Sequence, residues 1–322
     1  MPLACNLTEK TMTAKQRYQG IMTAVPTPLD DQGQVQAAPV RAHVERQLRD
    51  GITGILPIGG TGEFISLTPQ QRLRMLEVTV EAVNGRVPVV AGVLNPGYAE
   101  ALAAARDYLK AGADSVMVVT PYYYRPQQAG IVDYFRRLSD ALDGDLVLYE
   151  IPYRTGVSLL PETVAQIVES TRTVAMKACN PDLSQQVRVV EAVADRISIL
   201  TGEEAVFSLH IAMGAVGGML AGSNLFPRTW TRILELVNAG DLAAAKALQA
   251  RLQPATDALY SEPNPAPLKA AMQLIDCPMG SVITPMLPAS AACIERLKQV
   301  LPAALELERT CATDFPVPRP VR

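Results

Sequence analysis

Alternation constrains this chain more than any other feature of its sequence. Short apolar, β-branched runs begin near Ile21 (IMTAVPT), Ile55 (ILPI), Val87 (VPVVAGV), Ser115 (SVMVVT), Leu146 (LVLYEI), Val174 (VAMK), Ile197 (ISILTG) and Gly217 (GGMLAG). Longer amphipathic stretches separate them, clearest over 37–50 and 68–84. The runs are almost wholly apolar, as strands buried on both faces must be. Thr68-Pro69 supplies a helix N-cap followed by proline at the first helical position. Gly51 and Gly112 stand where left-handed caps would end their helices. About eight strand–helix units in succession predict an α/β fold, a TIM (β/α)8 barrel. A doubly wound open sheet is the alternative, but no G-x-G-x-x-G opens a helix after the first strand.

Past Ala239 the pattern changes to helices over 241–259, 265–274 and 289–301, with no further strand. The predicted organisation is a barrel over 18–238, a C-terminal helical extension over 239–310, and loosely ordered tails over 1–17 and 311–322. With 322 residues, 48% of them hydrophobic, the chain can bury a core of that size.

Composition removes several function classes. The net charge is −3 and neither half is strongly basic, which argues against nucleic acid as a partner. No apolar run approaches the length of a membrane span, and the polar N-terminus lacks the apolar stretch of a signal peptide. The five cysteines (Cys5, Cys179, Cys277, Cys293, Cys311) are scattered without a C-x-x-C pair, which reads as reduced thiols and a cytoplasmic protein. The two histidines, His43 and His210, lie in helical segments away from acidic or cysteine clusters, so they read as packing or surface residues. Neither a metal site nor a Ser-His-Asp triad is expected, and the chemistry must come from other groups.

In a barrel of this kind the active site forms at the C-terminal ends of the strands. Glu63, Tyr123, Tyr149, Arg154, Lys177 and Glu203 all fall there. Lys177 carries the most information, because lysine seldom ends an apolar strand. Burial lowers an amine's pKa and makes it a nucleophile toward ketones. A structural ion pair with Glu203 or Glu150 explains the same residue, and Lys177 alone does not choose between the two. Tyr149 can relay protons at a strand mouth, or it can be a core tyrosine. Gly59-Gly60-Thr61-Gly62 can form a nest of backbone amides for a carboxylate, although turns need glycine in any case.

Taken together, GGTGEF, TPYYYRP, YEIPYRTG and VAMK, in this order and spacing, resemble the dihydrodipicolinate synthase / N-acetylneuraminate lyase family, from about Ile21 to Leu301. EPNPAPLK, at Glu262 to Lys269, resembles the synthase branch, which serves lysine biosynthesis. The resemblance implies a lyase without metal or organic cofactor, whose Lys177 forms a Schiff base with pyruvate or another 2-keto acid. By the same resemblance Tyr149 shuttles protons, and Thr61 with Gly59 and Gly60 holds the keto-acid carboxylate. Tyr123 reaches into a neighbouring subunit's site, Arg154 grips the carboxylate of aspartate semialdehyde, and Ala221 joins the substrate-binding residues. It also implies a homotetramer, a dimer of dimers.

The departures are specific. Gly60 replaces the first threonine of the synthase GTTGE turn, which keeps the amide but removes the hydroxyl that links two tyrosines. GGTGEF also resembles keto-deoxy-glucarate dehydratases, against which stands Arg154. Glu150 replaces the usual asparagine, and strand alternation turns it away from the pocket. Ala178-Cys179 follows the lysine in place of glutamate-alanine, with Cys179 a small packing residue. Three outcomes follow: a dihydrodipicolinate synthase-like condensation, a keto-deoxy sugar-acid aldolase or dehydratase, or a keto-acid-binding protein without turnover.

Overall fold

A computed structural model describes residues 17–314. Its strands are β1 (Gly20–Ala24), β2 (Gly54–Leu56), β3 (Val90–Val93), β4 (Ser115–Val119), β5 (Asp145–Glu150), β6 (Thr173–Ala178), β7 (Ser198–Thr201) and β8 (Gly217–Leu220). The helices are α1 (Ala37–Arg49), α2 (Pro69–Val83), α3 (Tyr98–Lys110), α4 (Gln128–Ala141), the short α5 (Pro152–Thr155), α6 (Pro161–Ser170), α7 (Leu183–Val193), α8 (Phe207–Ala212) and α9 (Pro227–Asn238). After these come α10 (Leu242–Leu259), α11 (Ala266–Leu274) and α12 (Ala291–Asp314).

The strands pair in parallel in the order β2-β1-β8-β7-β6-β5-β4-β3. The two ends of that order meet at the parallel bridge Ile55↔Val89, where the Ile55 amide donates to the Pro88 carbonyl at 3.0 Å. The sheet is therefore a nearly closed TIM barrel, as the alternation predicts. Every residue of β2, β3, β4, β7 and β8 is buried, because one face fills the barrel and the other meets helices. Burying each such Val, Leu or Ile contributes about 1.5–3 kcal/mol, which holds the strand ends in register.

Local signals act as their chemistry requires. Thr68 and Gln71 form a reciprocal capping box on α2, with N–H···O distances of 3.2 and 2.7 Å. Gly51 and Gly112 adopt φ of +87° and +96° just past α1 and α3. His43 and His210 are both buried packing groups. His43 Nε2 meets Asn224 Oδ1 at 2.7 Å, and His210 Nδ1 meets the Thr201 hydroxyl.

Beyond α9 the described residues hold three helices and no strand. The sequence ends this extension at 310, but α12 continues to Asp314. Its buried stripe explains the difference: Leu297, Leu301, Ala304, Leu307 and Cys311 follow at intervals of three and four. Glu308, in the same turn region, accepts the Arg228 and Thr229 amides at 2.9 and 2.8 Å, which satisfies the open N-terminus of α9. The rest of the two expected tails, residues 1–16 and 315–322, lies outside the described residues, and so does Cys5. Among the described residues no helix is long and apolar enough to cross a membrane.

Candidate active site

Two neighbouring strands set the centre of the site. Tyr149 on β5 and Lys177 on β6 are register partners, so their side chains share one face of the sheet. The Lys177 amine lies 4.9 Å from the centre of the Tyr149 ring. Lys177 is only 8% exposed, and among the described residues its amine makes no hydrogen bond or ion pair. A Cβ on Gly202 would stand 2.9 Å from Lys177 Cε and 2.2 Å from Cys179 Sγ, so the lysine stem lies flat against a residue that must be glycine. Burial, reinforced by Arg154, pushes the Lys177 pKa below its ordinary value. Burial likewise holds the Tyr149 phenol far above its ordinary pKa, so it stays protonated at neutral pH.

The ion-pair alternative for Lys177 finds no geometry. Glu203 accepts from the Tyr153 hydroxyl at 3.0 Å. Glu150, one residue past Tyr149, faces outward as alternation predicts and accepts from the Leu159 amide at 2.8 Å and Asn180 Nδ2 at 3.1 Å. Neither carboxylate forms an ion pair with the amine.

The turn after β2 supplies the opposite wall. The Glu63 and Phe64 amides donate back to the Gly60 and Gly59 carbonyls, both at 3.2 Å. Among the described residues the Gly60 and Thr61 amides donate to no protein group, which leaves them free for an anion. Gly62 is sterically required, since a Cβ there would come within 2.7 Å of the Ile58 nitrogen. Asn264 Nδ2 donates to Thr61 Oγ1 at 3.0 Å and fixes the threonine from the C-terminal extension.

These walls enclose a cavity of about 50 Å³. Gly60, Thr61, Tyr149, Arg154, Lys177 and Ala221 line it, so the fold brings together six of the residues expected at the site. A second chamber of about 370 Å³ shares Gly60, Tyr149 and Arg154 and is walled mainly by apolar groups such as Ile65, Leu94, Val119 and Met286. Gly59 belongs to the turn without lining either chamber. Tyr123 lines neither; it is 82% exposed and its ring packs edge-on against Tyr124.

Sequence reasoning missed Tyr153, Tyr260 and Asn264, which also line the small cavity. Asn264 had a visible signal, since it sits inside the EPNPAPLK segment. Cys179 lines the cavity too, but burial raises its thiol to about 12, consistent with packing. Glu63 is spent on structure: it forms a buried ion pair with Lys269 at 2.6 Å.

The family model for the dihydrodipicolinate synthetase family matches residues 17–304. The chain belongs to that family. A 4-hydroxy-tetrahydrodipicolinate synthase of Pelobacter propionicus is 35% identical over 275 residues, covering 85% of this chain and 94% of that protein. The 4-hydroxy-tetrahydrodipicolinate synthase structure from Methylacidiphilum fumariolicum superposes with a TM-score of 0.87 at 31% identity, covering 91% and 98% of the two chains. A monomeric dihydrodipicolinate synthase variant superposes equally well, at 0.87 and 30% identity, covering 89% and 97%. As a member of the dihydrodipicolinate synthetase family the chain is a lyase, and the class expected from GGTGEF, YEIPYRTG and VAMK is the class found.

Proposed function

We propose that the chain condenses pyruvate, or a closely related 2-keto acid, with an aldehyde through a Schiff base on Lys177. The best-supported form of that reaction is the 4-hydroxy-tetrahydrodipicolinate synthase one, joining pyruvate to aspartate semialdehyde. The observation that carries it is the buried, unpaired Lys177 amine facing a cavity beside the protonated Tyr149 phenol. Family membership supports the same chemistry.

The keto-acid carboxylate docks on the Gly60 and Thr61 amides, which presents its carbonyl to Lys177. Attack by the amine and loss of water give an iminium, whose positive nitrogen draws electrons and lets a proton leave the adjacent carbon. The enamine then attacks the aldehyde, with Tyr149 moving protons. Arg154, which lines both chambers, holds the far carboxylate of the acceptor. Gly59 shapes the turn and Ala221 packs against the substrate.

Tyr123 serves a second copy of the chain, for which its 82% exposure leaves it free. The assembly proposed, by the family resemblance, is a homotetramer built as a dimer of dimers, and light scattering tests it. The free thiols of Cys179, Cys277, Cys293 and Cys311 suit a reducing cytoplasm.

A second reading has its own observation. A Cβ at Gly60 would find only Arg154 Nη1, at 3.6 Å, so no hydroxyl bridges the tyrosines and the space is open to a longer substrate. A keto-deoxy sugar acid, cleaved or dehydrated, would use Arg154 for its far end.

Borohydride trapping with pyruvate, followed by peptide mass mapping, tests the shared step. An adduct on Lys177 is expected, followed by product with aspartate semialdehyde. An adduct with turnover of a sugar acid alone favours the second reading, and an adduct without product on any aldehyde indicates a keto-acid-binding protein. No adduct with either keto acid overturns the Schiff-base assignment.

A further inference from the structure

Glu204 has no part in the chemistry above, yet it is buried behind Tyr260, which lines the Lys177 cavity. It is 3% exposed and opens the short 3-10 turn Glu204–Val206 after β7. Its Oε1 accepts from the Gly222 amide at 2.6 Å and from the Tyr260 hydroxyl at 3.0 Å. Its Oε2 is buried with no hydrogen-bond partner. A Cβ on Gly222 would come within 2.4 Å of that oxygen, so a bare glycine gives the carboxyl its berth. Burying this carboxyl in its charged form is unfavourable unless its hydrogen bonds compensate, which favours a group able to hold a proton.

Tyr260 connects this carboxyl to the chemistry. It caps the C-terminus of α10 and lines the cavity with Lys177 and Tyr149, the residue 45% exposed and its hydroxyl donating to Glu204. Burial raises the Glu204 pKa to about 7, while the Gly222 amide, the Tyr260 hydroxyl and the Ala221 amide pull it down. The titratable groups facing the pair are Lys177 toward Glu204, and Tyr153 and Cys179 toward Tyr260.

We propose that Glu204, acting through the Tyr260 hydroxyl, stores the proton that Schiff-base formation on Lys177 must first release and then reuse. The inference rests on the Schiff-base reading of Lys177. The Lys177 ammonium gives one proton to Tyr260, which passes its own to the Glu204 carboxylate, leaving a neutral amine and a neutral acid. The amine nitrogen bonds to the keto carbon and its surplus proton passes to the keto oxygen, giving a carbinolamine. Glu204 returns its proton along the same path to the carbinolamine hydroxyl, the C–O bond breaks and water leaves. Ammonium and ketone have then become iminium and water, with the carboxylate restored. Glu204 is on this account a positioning residue for Tyr260.

The test is the rate of borohydride trapping with pyruvate from pH 5.5 to 9 in the wild type, Tyr260→Phe, Glu204→Gln and the double variant. Adducts are mapped to their peptide, and circular dichroism with thermal melts checks the fold. In the wild type the rate should rise as pH passes about 7, where the carboxylate able to take a proton forms. Both single variants should trap on the order of 10²-fold more slowly at pH 8. They should also lose the inflection near neutrality while still labelling Lys177, and the double variant should be no slower than the worse single, since the two groups act in series. A Tyr260→Phe rate within about twofold of wild type, or a slower rate that keeps the inflection, overturns the proposal. A wild type that forms no adduct on Lys177 overturns the parent assignment instead and takes this one with it.

Discussion

Among the described residues two lysines are buried, and they are opposites. Lys269 is 4% exposed; its ammonium sits 2.6 Å from Glu63 Oε2 and donates to the Ser281 carbonyl at 2.8 Å. Lys177 is 8% exposed; its amine lies over the face of the Tyr149 ring and makes no ion pair at contact distance. Burial depresses both amines. For Lys269 a carboxylate at contact distance restores the charged form, and the pair becomes a rivet between the GGTGEF turn and the C-terminal extension. For Lys177 no carboxylate stands at contact distance, and only the more distant charges of Glu204 and Glu203 oppose the burial, while the amine faces the cavity. Burial alone therefore does not mark a reactive lysine; burial without a partner, beside a cavity, does.

Removing each lysine should break the comparison in opposite directions. Lys177→Met should abolish trapping and turnover while leaving the denaturation midpoint unchanged or higher, because it deletes a buried amine that no carboxylate at contact distance compensates. A large loss of stability would mean that Lys177 is structural after all. Tyr149→Phe should lower kcat about 10²- to 10⁴-fold with folding intact, and a smaller loss in steady-state assays would remove the phenol from the proton path. Lys269→Met strands the Glu63 carboxylate and should cost about 3–5 kcal/mol in urea unfolding, while the folded fraction still traps pyruvate on Lys177. If stability holds and trapping fails, the roles given to the two lysines are reversed. The smallest effect belongs to Gly60→Thr, which has room for its Cβ and should raise condensation with aspartate semialdehyde several-fold; no gain would show that the missing hydroxyl is not what limits the relay.

The barrel was legible because its strands announce themselves twice, by apolar runs and by the caps of the helices between them. Lys177, Tyr149 and Arg154 were legible because each ends or follows a strand, where a barrel places its chemistry. The partners of Lys269 and Tyr260 were not. Lys269 stands within a helix, and its carboxylate lies about two hundred positions earlier in a turn that reads as a carboxylate nest. Tyr260 follows a long amphipathic helix, where an aromatic residue looks like surface packing, and only the folded chain brings it to Glu204. Cys311 to Asp314 read as tail, because the stripe that keeps them helical depends on α9 and α10 lying alongside.

The rivet ties heredity to function. Glu63 ends the turn whose Gly60 and Thr61 line the small cavity, and the same side chain accepts the Ile283 amide at 2.8 Å and holds Lys269. The loop around Ile283 carries Pro285 and Met286 into the wall of the larger chamber. The loop that walls the larger chamber is thus fastened to the turn that walls the smaller one. On the function proposed above, a lineage that exchanges this loop to accept a new aldehyde would carry Glu63 and Lys269 along as one inherited unit, or loosen the turn assigned to the keto acid as it widens its choice of partner.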